Sequence, residues 1–348
     1  MTLIASTPIA TTETPTRTTS ARPGRIDACP SPTGSARRAA LGRLAGQWGE
    51  SGLAPFLAAQ DLSTVDLRDG RAAAAYARRG RWAVTAGDVV APPDQAELAL
   101  SEYIDELYGR RLTPAFVAVR DPVPYRRRGL SASPISDEAI VDLDDFDLSG
   151  SARAGVRHAA SSAQRLGITV ERHLACHDIG VALLSEQWLR TKRGGEYGFT
   201  LSRHDDVAEQ VAAGNTDSWV ALDRDGIVQA WCTWRHYAAG SARVLDVMRR
   251  NPDAPNPAMD YLLATTLLVY RDLGVRQASL ASVPRDQGGT AERFYPTRSL
   301  RAFKQKFAPR WERRWLVVPS AWQRPLALAA IGRAYTTGGL RHALSHNS

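Results

Sequence analysis

The sequence predicts an α/β fold, α+β in the narrower sense, built from two similar units in tandem. Helical and strand-like patterns alternate from about residue 35 to residue 320. In the second half, three strand patterns joined by short turns precede a loop, an apolar helix and a further strand. Strands and helices also alternate in the first half, which fits a second copy of the same unit. A chain of 348 residues is long enough for two such units.

The composition is that of a globular protein with an excess of positive charge. Apolar residues make up 44% of the chain and charged residues 23%, so extensive disorder is not expected. The net charge of +8 favours a polyanionic partner, either nucleic acid or an anionic membrane. An Arg-rich composition inherited from a GC-rich genome explains the same charge without any such partner.

Cysteine usage and hydropathy indicate a soluble, cytoplasmic protein. Cys29, Cys176 and Cys232 lack the spacing of a metal site or of a disulfide framework. No apolar run approaches the roughly 18 residues of a membrane span. The first residues lack the basic and apolar regions of a signal peptide.

The first part of the chain divides into a tail and one α/β unit. Residues 1–34 are rich in Thr, Ser, Pro and Ala and are predicted to be a disordered tail. Residues 35–148 form the predicted N-terminal domain. Its expected elements are a helical stretch over residues 35–60, a strand over 82–90, a helix that starts after Pro92-Pro93-Asp94, and a strand over 114–119.

Residues 149–320 form the predicted C-terminal catalytic domain, and residues 321–348 a final helix and tail. Ser149 or Ser151 is expected to cap its first helix, which ends at Gly167. The later elements are a strand over residues 168–171, helices over 179–192 and from about 205 to 214, strands over 218–223, 227–236 and 243–249, a helix over 257–273 and a strand over 278–284. Asp178 and Asn256 are expected to cap the helices that follow them. This order is that of the acetyltransferase-like (GNAT) fold, so we predict two tandem GNAT domains.

The loop over residues 251–256 argues against coenzyme A as a cofactor. Acyl-CoA enzymes of this topology hold the diphosphate with a Gly-rich loop at a helix N-terminus. Here the loop contains no glycine, its two prolines donate no N–H, and Asp253 would repel the anion. We therefore expect no cofactor.

Several stretches, in their order and spacing, resemble a known family. They are residues 137–143, 146–150, the helix with Arg153 and Arg157, and residues 188–201, 246–250, 254–256, 259–260 and 303–307. Together they cover roughly residues 65 to 320. The chain resembles the catalytic, tandem-GNAT domain of bacterial phosphatidylglycerol lysyltransferases and of related soluble transferases that use aminoacyl-tRNA, such as a seryl transferase of natural-product biosynthesis.

The resemblance implies an aminoacyltransferase that takes its amino acid from charged tRNA. Lipid-modifying members carry a membrane-spanning half that this sequence lacks, so we expect a small-molecule amine, hydroxylamine or hydroxyl as acceptor, plausibly in natural-product biosynthesis. Trp315 stands where the family usually has Tyr. The sequence names neither the amino acid nor the acceptor.

The resemblance also assigns catalytic residues: Asp246, Glu196, Lys304 and Arg249. Asp246 lies among apolar residues of a strand, where a carboxylate needs a partner. By resemblance it holds the amino-acid portion, with Glu196 as a second carboxylate. A structural salt bridge from Asp246 to Arg249 or Arg250, and a solvated turn at Glu196, are the plainer explanations.

A basic, aromatic segment after residue 300 suits the unpaired end of an RNA, because cations bind phosphates and rings stack on bases. The expected tRNA- or substrate-binding residues are Arg153, Arg157, Lys192, Arg250, Arg301, Lys306, Arg310 and Trp311. A solvated basic helix whose aromatic residues belong to the core would show the same pattern. No His cluster has metal spacing and no nucleophile triad stands out, so we expect direct attack without a metal or a covalent enzyme intermediate.

Three further functions remain open at this point. The first is lipid aminoacylation, which membrane contact by the segment from Ala321 to Tyr335 would accompany. That segment alternates apolar residues with arginines, and it fits a packed helix better than a membrane-touching one. The second is an acyl-CoA-dependent N-acetyltransferase, and the third is a non-catalytic RNA-binding module.

Overall fold

The computed structural model of the chain describes residues 32–59, 61–173, 179–191, 202, 204–285 and 297–345. The predicted tail lies outside these residues except for its last three positions. Asp178, Lys192 and Glu196 also lie outside them.

The described strands form one mixed sheet. They are β1 (Ser63–Leu67), β2 (Ala72–Arg79), β3 (Trp82–Ala86), β4 (Thr113–Val119), β5 (Ser131–Asp142), β6 (Thr169–Arg172), β7 (Thr216–Leu222), β8 (Val228–Tyr237), β9 (Ala242–Arg250), β10 (Gln277–Pro284) and β11 (Arg310–Val318). Their order in the sheet is β1-β2-β3-β4-β11-β5-β10-β9-β8-β7-β6. Among these described strands, only β3/β4 and β9/β10 pair in parallel.

Helices cover both faces of this sheet. They are α1 (Pro32–Trp48), α2 (Ala96–Gly109), α3 (Val123–Arg127), α4 (Ala154–Arg165), α5 (Ile179–Arg190), α6 (His204–Ala212), α7 (Pro257–Asp272), α8 (Thr297–Gln305) and α9 (Arg324–Ser345). In the first half, α1 and α9 share one apolar core with the sheet and α2 and α3 share another. In the second half, α4 and α7 build the largest core, and α5 and α6 cover other residues of β7–β9.

The two halves repeat one arrangement of strand, helix and parallel strand. α2 connects β3 to β4, and α7 connects β9 to β10. This repeat confirms the predicted α/β class with two GNAT-like units.

The last strand of each unit has crossed into the other unit. β5 follows β4 in the chain but pairs with β10 and β11, whereas β11 lies between β4 and β5. The helix α9 that follows β11 packs on β2 and β3 of the first half. The predicted boundary at residue 148 stays a prediction, and the exchanged strands β5 and β11 connect the halves across it.

Some local features differ from the sequence-based expectations. The helical stretch predicted over residues 35–60 ends at Trp48. The next residue is Gly49, where a Cβ would lie 2.3 Å from Ala45 O and from Ala54 Cβ, so the close approach of the chain after the helix requires glycine. Ser149 binds the Asp147 carboxylate, and α4 begins after Arg153 without a side-chain cap. Asn256 precedes α7 but does not cap it, since its Oδ1 accepts a hydrogen bond from Arg250 instead.

Candidate active site

Two parallel strands of the second unit open a gap in the sheet. β9 and β10 pair only between residues 242–244 and 277–279 and then separate. Just beyond, β10 carries a bulge between Ser279 and Ser282, where Ala281 has a left-handed φ of 63°. A bulge takes backbone groups out of the strand ladder, so they need other partners.

Lys304 provides partners for that bulge. From α8 its Nζ donates to the carbonyl oxygens of Ala281 at 2.9 Å and Ser282 at 3.1 Å. The residue is only 4% exposed, and burial lowers the pKa of Lys304 to about 7 against the opposing effect of Glu138. Lys304 therefore holds the bulge and titrates near neutral pH.

A cavity of ≈ 840 Å³ lies where β9 ends and α7 begins; we call it the α7 cleft. Its walls come from α4, α5, β9, α7 and α8. The lining residues are His158, Ala159, Ser162, Arg165, Trp188, Met248, Arg250, Asn256, Pro257, Met259, Asp260, Phe303 and Lys306. The cleft thus occupies the place where a diphosphate-binding loop would lie in an acyl-CoA enzyme.

The α7 cleft contains one ion pair and two further arginines. Lys306 Nζ lies 2.7 Å from Asp260 Oδ2, and Arg250 Nη1 donates to Asn256 Oδ1 at 3.1 Å. Arg165 is exposed at the end of α4. A carboxylate stands at the helix N-terminus, so this site is poorly suited to a diphosphate and better suited to a ligand with both phosphate and hydrogen-bond donors.

Asp246 lies on β9 beside the gap and is buried. Its Oδ1 accepts the backbone N–H of Ser202 at 2.9 Å. Arg235, which is also buried, donates to Ser202 Oγ at 3.2 Å and to the carbonyl of Pro55 at 2.8 Å. The carboxylate therefore belongs to a buried polar cluster that includes Arg235 of β8 and reaches Pro55 of the first half.

Arg249, also on β9, lies against two tryptophan rings. Its guanidinium lies 5.4 Å from the ring centre of Trp188 and 5.7 Å from that of Trp231. Trp188 also lines the α7 cleft. Arg249 is 3% exposed, so any ligand it contacts is bound inside the protein and not on its surface.

A second buried network joins the two exchanged strands. Arg314 on β11 donates to Glu138 Oε2 on β5 at 2.6 Å and to Glu312 Oε2 at 2.7 Å. Glu138 Oε1 also accepts a hydrogen bond from Ser279 Oγ, at 2.5 Å, beside the bulge of β10. This network runs directly up to the gap between β9 and β10.

The first unit has a cavity of its own, of ≈ 880 Å³, which we call the first-unit cavity. It lies where β3 and β4 end, and its polar walls include Glu50, Asp88, Arg120, Tyr125 and Arg314. Tyr125 donates to Asp88 Oδ1 at 3.0 Å, and desolvation raises the pKa of Asp88 despite this bond. Because Arg314 lines this cavity and binds Glu138, the cavity and the gap share one buried wall.

The structure groups some of the sequence-predicted residues and separates others. Asp246 and Arg249 lie on β9 beyond the point where it leaves β10, and Lys304 binds the bulge of β10. Arg250 and Lys306 line the α7 cleft. Arg157 donates to the carbonyls of Leu148 and Gly150, and Arg153 stacks on Phe146, so both brace the loop before α4. Their predicted role in binding tRNA stays a prediction.

The basic, aromatic segment is helix α8, a turn and strand β11. Phe307 is fully buried, as expected if the aromatic residues of this segment belong to the core. Arg301 pairs with Asp137 and lies 4.0 Å from the ring centre of Trp311, while Arg310 pairs with Asp142. Arg301, Arg310 and Trp311 lie near β5 and do not line the α7 cleft.

Sequence reasoning did not identify Glu138, Ser279, Arg314 or the first-unit cavity. The only available signal was a pair of charged residues in strand-like stretches, Glu138 and Arg314, 176 positions apart. Lys192 and Glu196 lie outside the described residues.

Within the described ranges, no group of three or more His, Cys, Asp or Glu side chains is placed to hold a metal ion. No helix in the same ranges is both long and apolar enough to cross a membrane.

Comparison with known proteins identifies a matching family model. It is described as the C-terminal part of phosphatidylglycerol lysyltransferase, and it matches residues 43–318. A phosphatidylglycerol lysyltransferase of Bacillus subtilis is 28% identical over 271 residues, which are 71% of this chain and 31% of that protein. The lysylphosphatidylglycerol biosynthesis bifunctional protein LysX of Mycobacterium avium is 29% identical over 232 residues, 65% of this chain and 19% of the relative. The chain thus spans a third or less of these relatives' length.

A solved structure has the same fold. The C-terminal domain of a putative lysylphosphatidylglycerol synthetase from Agrobacterium fabrum superposes with a TM-score of 0.77 at 24% identity, covering 88% of this chain and 98% of that one. At this identity the similarity is one of fold.

Proposed function

Because the chain belongs to the family of the C-terminal domain of phosphatidylglycerol lysyltransferases, we propose that it is an aminoacyltransferase that moves an amino acid from aminoacyl-tRNA to a hydroxyl group of phosphatidylglycerol. The donor is the one expected from the sequence. The names of the relatives favour the lipid acceptor over the small-molecule acceptor expected from the sequence.

The observation that carries the proposal is the chemistry of the α7 cleft. A diphosphate-binding site uses glycine N–H groups at a helix N-terminus, and this loop has two prolines and no glycine there. Instead, the cleft places Arg250 and Lys306 near Phe303 and Trp188, with Arg165 at its edge. Cations and flat apolar side chains together suit the unpaired end of an RNA.

The gap between β9 and β10 is the proposed place of reaction. The acceptor oxygen attacks the ester carbonyl, a tetrahedral oxyanion forms, and the bond to the ribose oxygen breaks as the acceptor's proton passes to that leaving oxygen. Arg249 and Lys304, on the two sides of the gap, are the proposed stabilisers of the oxyanion. Asp246 is the proposed partner of the amino acid's α-ammonium.

The first-unit cavity is the proposed entry for the acceptor. It opens on the other side of the Arg314–Glu138 wall, so donor and acceptor would approach the gap from different sides. Two exposed arginines in its lining, Arg120 and Arg313, suit the phosphate of a lipid headgroup.

The test is transfer from a pool of radiolabelled aminoacyl-tRNAs, with and without vesicles that contain phosphatidylglycerol. We expect label in the lipid fraction only with such vesicles, and a loss of at least about 100-fold in Asp246→Asn and Lys304→Ala. Asp253→Asn removes an exposed carboxylate near α7 and should keep full activity. Label in a water-soluble product with a small amine or hydroxyl acceptor would support the small-molecule acceptor instead.

Two further assays address the N-acetyltransferase and the RNA-binding module. Acetyl-CoA should not raise the melting temperature, because the loop before α7 lacks a diphosphate site; a clear rise would favour an N-acetyltransferase. Binding of tRNA with no transfer to any acceptor, unchanged in Asp246→Asn, would favour a non-catalytic RNA-binding module.

A further inference from the structure

Asp260 has a buried carboxylate, and one of its two oxygens accepts no hydrogen bond from the described residues. The residue is 7% exposed and lies in the first turn of α7. Its Oδ2 accepts from Lys306 Nζ at 2.7 Å, while its Oδ1 has no hydrogen-bond partner within the part of the chain that the structure describes. A buried acceptor without a donor is costly, and such an atom in a cavity wall is a sign of a ligand.

The surroundings of Asp260 indicate the shape of that ligand. The neighbouring walls of the α7 cleft are flat or apolar: Trp188, Met248, Met259 and Phe303. Asp260 is the only carboxylate among the residues that line this cleft in the described ranges. A planar ring fits between such side chains, and its edge would meet the carboxylate.

The charge balance indicates which group on the ring is recognised. Lys306 already neutralises Asp260 through the 2.7 Å ion pair. A second full positive charge would meet a neutral pair, whereas a neutral N–H would satisfy Oδ1 without adding charge. The terminal torsion of an Asp side chain is soft, so small rotations can present this oxygen to the cleft while Lys306 stays paired.

We propose that Asp260 accepts a hydrogen bond from the exocyclic amine of a purine base held in the α7 cleft. This inference rests on the proposed function, under which the base is the terminal adenosine of the charged tRNA. Asp260 would then be a specificity residue that distinguishes a 6-amino purine from a 6-oxo purine. It takes no part in the acyl transfer itself.

The test compares nucleotides that differ only at the 6-position. Calorimetry would measure the binding of AMP, IMP and N6,N6-dimethyl-AMP to the full chain. We expect AMP to bind at least about tenfold more tightly than the other two, because N6,N6-dimethyl-AMP lacks the exocyclic N–H and IMP carries a carbonyl oxygen in its place, which would face the carboxylate. Equal affinities in the unmodified protein would overturn the proposal without any substitution.

Two variants separate recognition from packing. Asp260→Ala should reduce the ratio of AMP to IMP affinity to near one, whereas Lys306→Gln should weaken both nucleotides and keep most of the ratio. An unchanged ratio in Asp260→Ala would overturn the proposal. If Asp260→Ala does not fold, Asp260→Asn should show a reduced preference, because a neutral amide oxygen is a weaker acceptor than a carboxylate oxygen.

The outcomes also separate this inference from the proposed function. Transfer to lipid without any preference for AMP would remove the role of Asp260 and leave the aminoacyltransferase intact. A preference for AMP without transfer from any aminoacyl-tRNA would leave the role of Asp260 intact and remove the proposed aminoacyltransferase activity. Weakened binding of lysinamide, with an unchanged nucleotide ratio in Asp260→Ala, would show that the carboxylate binds the amino acid and would overturn the proposal.

Discussion

Arg314 Nε lies 2.6 Å from Glu138 Oε2, and each of the two side chains is 6% exposed. Arg314 belongs to β11 and Glu138 to β5, so the ion pair joins the two exchanged strands. Arg314 also binds Glu312, and Glu138 also accepts from Ser279. The pair is therefore fully surrounded by partners, which is the condition under which a buried charge pair is tolerated.

Removing one member of this pair should destabilise the whole fold. In Arg314→Met the buried carboxylate of Glu138 loses its cation, whereas the partly exposed Glu312 keeps its ion pair with Arg310. We expect the free energy of unfolding to fall by about 3–5 kcal/mol in urea titrations. The double variant Glu138→Met with Arg314→Met should lose clearly less than Arg314→Met alone. Equal losses in both would show that the two residues are not coupled.

Gly52 should not accept a side chain, because the fixed carboxylate of Glu138 occupies the space that a Cβ would need. A Cβ there would lie 2.9 Å from Glu138 Oε1 and 3.2 Å from Val244 Cγ2. Because Glu138 is fixed by Arg314 and Ser279, Gly52→Ala should cost about 1–3 kcal/mol in the free energy of unfolding.

The matched control for this substitution is Gly46→Ala in α1. A Cβ at Gly46 would meet no neighbouring atom within 4 Å in the described part of the chain. This variant should stabilise the fold by up to about 1 kcal/mol, since alanine favours helix. A loss at Gly46 as large as the loss at Gly52 would mean that contact with Glu138 is not the cause.

The pH dependence of stability should carry a contribution from Lys304. Burial lowers its pKa from 10.5 to about 7, so between these pH values the unfolded chain binds more protons than the folded one. The stability that this group contributes is therefore complete above about pH 10.5 and is lost as the pH falls to about 7. Its full size is of the order of 5 kcal/mol as an upper limit.

The measurement for Lys304 is unfolding by urea at several pH values in the unmodified protein and in Lys304→Met. The difference in unfolding free energy between them should grow in favour of the unmodified protein from neutral to alkaline pH. A difference that stays constant with pH would contradict the depressed pKa.

Arg165 should contribute to tRNA binding through the phosphate backbone. It is exposed at the edge of the α7 cleft, so Arg165→Gln should weaken tRNA binding and reduce the slope of log affinity against log salt by about 0.7–0.9. Arg81→Gln removes an exposed arginine in the first unit and should leave the slope unchanged. Filter binding at four or five salt concentrations measures both. Equal slopes in all three proteins would place the RNA elsewhere.

The sequence predicts the second unit well because its elements have strong local signals. Gly226 in the β7–β8 turn and Pro257 at the start of α7 mark element ends that the structure reproduces. β2 was not predicted, because the run Ala72–Ala75 has little strand propensity and is buried on both faces. Its place in the sheet is decided by tertiary packing.

The candidate site was only partly accessible from the sequence. Asp246 and Lys304 could be selected as candidates, because a carboxylate in an apolar strand and a lysine among aromatic residues are unusual; their roles stay predictions. Glu138 and Arg314 could not be placed together, since strand exchange brings them into contact from 176 positions apart and no local pattern encodes that pairing. The cap predicted at Asn256 failed because Arg250, the last residue of β9, competes for its oxygen.

The crossing of β5 and β11 makes each half depend on the other for folding. A fragment that stopped at residue 148 would carry β5 without either of its neighbours, and the remaining fragment would carry β11 in the same condition. Neither piece could complete its own sheet, so the two halves cannot be separated into independently folding modules. Only co-expression of both fragments should restore a folded protein.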